Sequence, residues 1–235
     1  MLIQDYLSSE PMRYWNVPAS MSAETKRQHL ERMIASGSYI WSRKFDGHWA
    51  RAVIGDGAAA LQTRGISKKT GTYGEVQNKV FFWNDVVKAF QNGITVILGE
   101  IYLPGYIDRD CGSILRCLDQ KALDRQKINK LQWRIFDVLA LDGVDMFNTP
   151  VEKRVSYIPE VVKRINSPLV FGVEYHEMDE HFFDDLNDIF KEGGEGAVCY
   201  KKDAIYISGK RGPHSWDSVK VKQEIASDID CFIIG

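Results

Sequence analysis

The chain has 235 residues, 44% hydrophobic and 26% charged, with a formal net charge of −2, the profile of an ordinary soluble globular protein. Folding at this length hides about 70% of the unfolded surface, so a core forms without a metal or disulfide staple. Near-neutrality also excludes a protein that coats nucleic acid by bulk charge alone and leaves only a local basic groove.

No stretch approaches the roughly 18 apolar residues of a membrane span, and the N-terminal MLIQDYLSSEPMRYW lacks the basic-then-apolar layout of a signal peptide, so the expected location is the cytoplasm. Cys111, Cys117, Cys199 and Cys231 form no CxxC pair and lie far from the histidines, which speaks against a zinc site or a disulfide framework.

Residues 22–36 place Ala23, Leu30, Met33 and Ile34 at helical spacing before Gly37, predicting a helix with a glycine after its end. Tyr39 to Phe45 reads as a strand, and HWARAVIGDGAAALQTRG as a hairpin turning at Gly55, Asp56 and Gly57. A helix is predicted over Val80 to Gln91, ended by Asn92 and Gly93, then a buried strand over ITVILGEIYL. Residues 111–129 look helical, LQWRIFDVLALDG reads as a strand closed by an Asp-Gly turn, and PVEKRVSYIPEVVKRI as a helix opened by Pro150 and kinked at Pro159. A strand near Val170 to His176, an acidic amphipathic helix over DEHFFDDLNDIFKEGG and two or three further strands complete the chain. With no internal repeat or linker, one compact unit is expected. The irregular interleaving points to an α+β fold of mostly antiparallel sheets.

Four segments bring lysines, acids and glycines to predicted strand ends: Lys44-Phe45-Asp46-Gly47, Leu98-Gly99-Glu100, Gly194-Glu195-Gly196 and Lys220-Val221-Lys222. A lysine at a strand-turn position is a nucleophile candidate, two carboxylates suit a divalent cation, and a Lys-x-Lys pair on one strand face suits phosphate oxygens. Arg64 and Phe136 add a guanidinium and an aromatic face. Such parts suit attack of an amine on a nucleoside triphosphate. An amine with the ordinary lysine pKa of about 10.4 is almost wholly protonated at pH 7, so this chemistry needs cationic neighbours or a bound metal to favour the free base at position 44.

In this order the segments resemble the covalent nucleotidyltransferases, and within them the adenylation domain of ATP-dependent DNA ligases, phage-type enzymes foremost. The resemblance runs from about residue 12 to the C-terminus. KFDG is similar to the family's nucleophile motif, TRG at Thr63 to Gly65 to its arginine motif, and LGEIYLPG to its glutamate motif. RIFDVLALDG resembles the nucleotide-stacking motif, EGGEGAVCYKK the second glutamate motif and SVKVK the terminal lysine motif.

The resemblance implies a nucleotidyltransferase (ATP-grasp-like) fold of antiparallel sheets flanked by helices, with ATP and Mg²⁺ or Mn²⁺ as cofactors. Lys44 would take AMP covalently and Phe136 would stack on adenine. Glu100 would contact ribose or metal, Glu195 the divalent cation, Lys220 and Lys222 the α-phosphate, and Arg64 the nucleotide. Asp46 and Gly47 would shape the turn beside the nucleophile.

Two positions depart from the family pattern. Ser42 stands where many members have a glutamate that reads the adenine amino group. Trp49 stands where many have an arginine, which makes Arg51 the candidate substitute.

By the same resemblance, residues 1–227 form the adenylation domain and residues 228–235, within ASDIDCFIIG, are the first of an OB-fold domain at which the chain is truncated. The implied partner is nicked duplex DNA, acted on by a monomer with no membrane association, in the host cytoplasm if phage-encoded. An RNA ligase, an mRNA-capping guanylyltransferase and a non-catalytic nucleic-acid-binding module are the alternatives.

Taken singly, the residues have plainer readings. Lys44 alone is a solvated hairpin lysine, Phe136 a core residue of an alternating strand, Glu195 a turn residue, and Lys220 and Lys222 an exposed strand face. Lys68 and Lys69 sit in a turn-rich loop, and Lys201, Lys202, Lys210 and Arg211 extend a candidate basic groove. His48, His176 and His214 read as structural or solvent-facing, and Asp184, Asp185 and Asp188 as a solvated helix face.

Overall fold

A computed structural model of the chain describes residues 1–16, 21–68, 70–105, 108–209 and 216–222. Lys69, Lys210, Arg211, His214, Cys231 and the segment 228–235 lie outside the described residues.

In chain order the elements are α1 (Ile3–Ser8), β1 (Trp15–Asn16), α2 (Ala23–Ser36), β2 (Tyr39–Arg43), β3 (His48–Gly55), β4 (Ala58–Ile66), β5 (Tyr73–Glu75), α3 (Trp83–Ala89) and β6 (Thr95–Tyr102). Then come α4 (Asp108–Leu115), α5 (Asp119–Arg125), β7 (Gln132–Leu141), β8 (Val144–Asp145), α6 (Val151–Val155), α7 (Ile158–Ile165), β9 (Val170–Gly172), β10 (Tyr175–Glu177), α8 (Phe182–Lys191), β11 (Gly196–Lys201) and β12 (Ser218–Lys222). They form two compact units rather than one. The first holds Met1–Pro11, Asp46–Thr149 and Lys153–Val173, and the second Met12–Phe45, Pro150–Glu152 and Glu174–Gly235.

The first unit is built on a sheet of order β5-β4-β3-β6-β7-β8, with β9 added parallel to β7. The hairpin between β3 and β4 turns on Asp56 and Gly57, both at positive φ, as a tight two-residue connection requires. Two irregularities interrupt the β6–β7 ladder. Gly99 pairs with Ile135 and Leu98 with Asp137, which leaves Phe136 as an extra residue. Beside it, buried Asp137 receives Nε and Nη2 of buried Arg154, each at 2.9 Å.

Arg51, on β3, is 1% exposed. Its Nε and Nη2 donate to Oε1 of Gln62, its Nη1 to the carbonyl and hydroxyl of Ser9, and its Nη2 also to the carbonyl of Leu7. All five guanidinium N–H donors are thereby engaged, and the segment after α1 is tied to the sheet. The Tyr6 hydroxyl adds a second tie, donating to Asp145 at 2.7 Å.

The second unit has a sheet of order β1-β12-β11-β2-β10. Leu30 and Met33 of α2 and Phe182, Leu186 and Ile189 of α8 pack on one face of it, against Trp41, Ala197, Cys199, Val219 and Val221. Strand side chains alternate between faces, so Ile40, Ser42, Val198, Lys220 and Lys222 stand on the other.

The helix after Ser22, the hairpin and the strands at 39, 94, 131, 196 and 218 follow their sequence expectations, whereas four segments differ. The helix expected over 80–91 shortens to α3, with a 3₁₀ turn at Gln77–Lys79 before it. Residues 111–129 divide into α4 and α5. Residues 150–165 form two helices, and Pro159 lies in the first turn of α7 rather than at a kink, because a proline there gives up no intrahelical hydrogen bond. The strand expected near 170–176 is two strands, β9 in one sheet and β10 in the other, since alternation alone carries no information about partners.

Replacing Arg51 with Leu removes the donors from the buried Gln62 amide oxygen and from acceptors on half-buried Ser9 and Leu7. The expected loss of unfolding free energy is about 3 kcal/mol, read as a lower urea midpoint; an unchanged midpoint would show that the clamp carries no stability.

Candidate functional site

The lysine-rich end of the second unit is assembled by pairing of β2, β11 and β12. Just beyond β2, the N–H of Lys44 donates to the carbonyl of Gly196 at 2.8 Å. Across β11, Gly196 faces Lys222 and Val198 faces Lys220, while Ser42 on β2 faces Val198. Lys44, Gly196 and Lys222 therefore form one cross-strand row, and Ser42, Val198 and Lys220 the next, about 6.7 Å along the strands.

Gly196 makes the first row close enough to act as a unit. It has φ +130, and a Cβ there would lie 2.0 Å from the carbonyl oxygen of Val221, so no other residue fits.

The two lysines of this row share one carboxylate. Glu195 accepts a hydrogen bond from Lys44 Nζ and another from Lys222 Nζ at 3.0 Å. The side chains of Lys44 and Glu195 are only 15% and 21% exposed, so the ion pair is shielded from much of the solvent screening that weakens surface pairs. Burial of Glu195 disfavours its carboxylate, but the hydrogen bonds and charges of Lys44 and then Lys222 outweigh that, and its pKa lies below the usual glutamate value. The cluster has two cations and one carboxylate.

In the second row Ser42 is buried, and the Lys220 ammonium stands 5.2 Å from the centre of the Tyr14 ring. Tyr175 on β10 pairs with Ser42. This row is neutral and aromatic except for Lys220, so charge is concentrated at the Lys44 end of the face.

The remaining predicted residues belong to the first unit. Trp49 on β3 pairs with Glu100 on β6, and Glu100 with Arg134 on β7. The exposed Arg64 guanidinium lies 5.4 Å from the centre of the Trp49 ring, so Trp49, standing at the family's arginine position, serves as a platform for a different arginine.

Arg134 opens the segment RIFDVLALDG. It lies over Phe171 at 4.4 Å and donates to the Tyr102 hydroxyl at 3.1 and 2.9 Å. Phe136 is half-buried at its bulge, a device that re-aims a side chain out of the ladder. Gly47 meets Ile101 so closely that a Cβ would lie 2.3 Å from its carbonyl oxygen. The boundary between the units falls between Phe45 and Asp46, inside KFDG.

Arg51 engages all five donors with Gln62, Ser9 and Leu7 as above, a clamp within the first unit. Lys201 pairs with Asp203, and Lys202 with Glu177 and the carbonyl of Gly37, so the candidate basic groove has two of its lysines engaged within the fold. His176 packs against Trp41, and Asp188 pairs with Lys191.

Among the described residues no three His, Cys, Asp or Glu side chains converge as a metal cage. Mg²⁺ commonly keeps several waters and binds through one or two carboxylates plus substrate phosphates. The Glu195 carboxylate beside Lys44 and Lys222 fits that mode of binding. Among the described residues no helix is long and apolar enough to cross a membrane.

The family model described as ATP dependent DNA ligase domain matches residues 20–222. A DNA ligase of Pyrobaculum islandicum is 25% identical over 216 residues, covering 85% of this chain and 34% of the relative. A DNA ligase of Thermococcus onnurineus is 27% identical over 221 residues, covering 92% of this chain and 37% of the relative. The chain thus spans about a third of the length of these curated relatives. Among solved structures, the Chlorella virus DNA ligase-adenylate superposes with a TM-score of 0.61 at 15% identity, over 92% of this chain and 69% of that one. The ATP-dependent DNA ligase of bacteriophage T7 in complex with ATP gives 0.60 at 14% identity, over 93% and 70%. At such identities these two show a shared fold of helices and antiparallel sheets.

The depressed Glu195 pKa has a definite sign for stability. Its contribution is present above the ordinary glutamate value of 4.5 and is lost as pH falls through the lower folded value. Glu195→Gln is therefore expected to unfold more easily than wild type at pH 7, with the difference closing below about pH 4.5. Denaturant titrations across pH 3 to 7 check this, and a difference of constant size would contradict it.

Proposed function

Because the chain belongs to the ATP-dependent DNA ligase domain family, we propose that it uses ATP to adenylylate its own Lys44 and passes the AMP to the 5′-phosphate of nicked DNA. The observation that carries the proposal is the contact of Lys44 and Lys222 with one shared carboxylate, that of Glu195. The Lys44 amine is held at one position by a carboxylate, and a second ammonium stands at the same carboxylate.

In the self-adenylylation step a bond forms between Lys44 Nζ and the α-phosphorus of ATP. Lys44 reacts as the free amine after giving its ammonium proton to solvent; the bond from that phosphorus to the oxygen bridging to the β-phosphorus breaks, pyrophosphate leaves, and a second proton passes from the new N–P nitrogen to solvent. Lys222, together with Lys220 one row away, supplies positive charge for the α-phosphate oxygens as their negative charge redistributes. When phosphate oxygens draw Lys222 away from Glu195, the carboxylate keeps Lys44 as its partner, so the nucleophile stays oriented.

Glu195 is the residue that would hold a divalent ion, and Glu100 is a candidate contact for the ribose or a metal. Bound with waters and phosphate oxygens, that ion supplies neutralisation of triphosphate charge. Phe136, taken out of the β7 ladder by its bulge, is the candidate to stack on the base, and Arg64 on its Trp49 platform the candidate to contact the nucleotide. Ser42 occupies the row where a nucleoside would extend from a phosphate held at Lys44 and Lys222.

Incubation with ATP and Mg²⁺ is expected to add the mass of one adenylyl group to the intact protein. Pyrophosphate should remove it, Lys44→Ala should never acquire it, and Lys222→Met should acquire it about 100-fold more slowly. Absence of any adduct in the wild type would overturn the reading. Transfer of the label to nicked duplex DNA rather than to nicked RNA tests the acceptor.

A further inference from the structure

We propose that Tyr14 is a positioning residue for Lys220: its ring fixes where the Lys220 ammonium stands on the sheet face, and so sets how well that lysine meets an α-phosphate. The role rests on the nucleotidyl-transfer reading above, whereas the contact itself is independent of it. Tyr14 lies before the region matched by the family model, which begins at residue 20, and belongs to none of the six motifs.

Four observations converge on it. Strand β1 runs parallel to β12, with Trp15 beside Val219 and Asn16 beside Lys220. Trp15 packs on the helix-covered face, where its ring meets Trp216 at 4.6 Å and Trp216 in turn stacks on His29 of α2 at 4.3 Å. Anchoring Trp15 there places the preceding Tyr14 on the opposite face, the one that carries Lys220. The Tyr14 ring then lies 5.2 Å from the Lys220 ammonium, and the Tyr14 and Tyr200 hydroxyls are hydrogen-bonded at 2.9 Å.

The ring is thus held at both ends, by the strand pairing of its backbone neighbours and by Tyr200 on β11. An ammonium within about 6 Å of an aromatic centre is attracted to the face of the ring. Lysine otherwise carries a long, freely rotating stem, so a held ring confines the charge to one part of the face. Tyr14 makes no claim on the reacting atoms; its effect passes through Lys220.

The contact is read first by NMR of lysine-labelled protein without nucleotide, with Lys220→Arg used for assignment. The Lys220 ε-methylene protons are expected upfield of those of solvated lysines, from the ring current of Tyr14, and to return to ordinary values in Tyr14→Leu. Absence of the upfield shift overturns the proposal whatever the activity.

The role is read by single-turnover adenylylation in a double-mutant cycle, with thermal unfolding followed for every variant. Tyr14→Leu is expected to lower kcat/KM for ATP by about 2- to 30-fold in the wild-type background and by less than 2-fold in Lys220→Met. Tyr14→Phe and Tyr14→Trp, which keep an aromatic face, are expected to restore most of the loss. Equal losses with and without Lys220, or a Tyr14→Phe variant as impaired as Tyr14→Leu, would overturn the positioning role. A wild type that shows the upfield shift but forms no adduct would overturn the nucleotidyl-transfer reading, and the role with it, while leaving the contact established.

Discussion

One backbone hydrogen bond, from the Lys44 N–H to the Gly196 carbonyl, holds the lysine-rich end of the smaller sheet together. It extends the β2–β11 pairing one residue past the strand, so the candidate nucleophile stands where a regular ladder ends and a side chain is free to leave the pleat. The same pairing brings Glu195, the residue before Gly196, beside Lys44. Because Gly196 has no side chain, the Val221 carbonyl lies where a Cβ would otherwise stand, and β12 delivers Lys222 to the same carboxylate. Three short sequence signatures, far apart along the chain, become one electrostatic cluster through the packing of three strand ends.

The larger sheet solves a different problem, which is how to present an aromatic side chain from the middle of a buried strand. Phe136 sits between Ile135 and Asp137, both of which keep partners on β6. An extra residue there disturbs the ladder and, left alone, would loosen the strand. The forked Arg154–Asp137 pair offsets that disturbance immediately beside it, with both side chains buried. Such a pair is expensive to break one partner at a time, so it fixes the strand on the far side of the bulge. Trp49 and Arg64 apply a similar economy on the neighbouring strands, where a flat ring replaces a charged partner as the surface on which a guanidinium rests.

What was legible in the sequence was local. Gly37, the spacing of Leu30 and Met33, the Asp56-Gly57 turn and the alternation of Val219, Lys220, Val221 and Lys222 each obey short-range rules, and the structure follows them. The ordered motifs assigned Lys44 and Glu195 to one site, although their contact, across 151 positions of sequence, has no periodic signature. Where the outcome depended on partners, sequence patterns were silent. The change of sheet after Val173, the burial of Arg51 and the pairing of Arg154 with Asp137 are decided by residues remote along the chain. A polar residue one strand position from a motif reads the same whether it touches substrate or closes a core. Tyr14 carried no signal because its meaning comes from Trp15 being anchored on the opposite face.

The Arg51 clamp bears on how such a domain can be excised. The family match begins at residue 20, yet the acceptors that satisfy the Arg51 guanidinium include the Leu7 carbonyl and the carbonyl and hydroxyl of Ser9. A fragment trimmed to the matched region would strand a buried cation in the middle of its principal sheet. The limits of sequence similarity and the limits of an independently folding piece therefore do not coincide at this end of the molecule, where buried Tyr6 and the backbone of Leu7 and Ser9 complete the packing of the larger sheet.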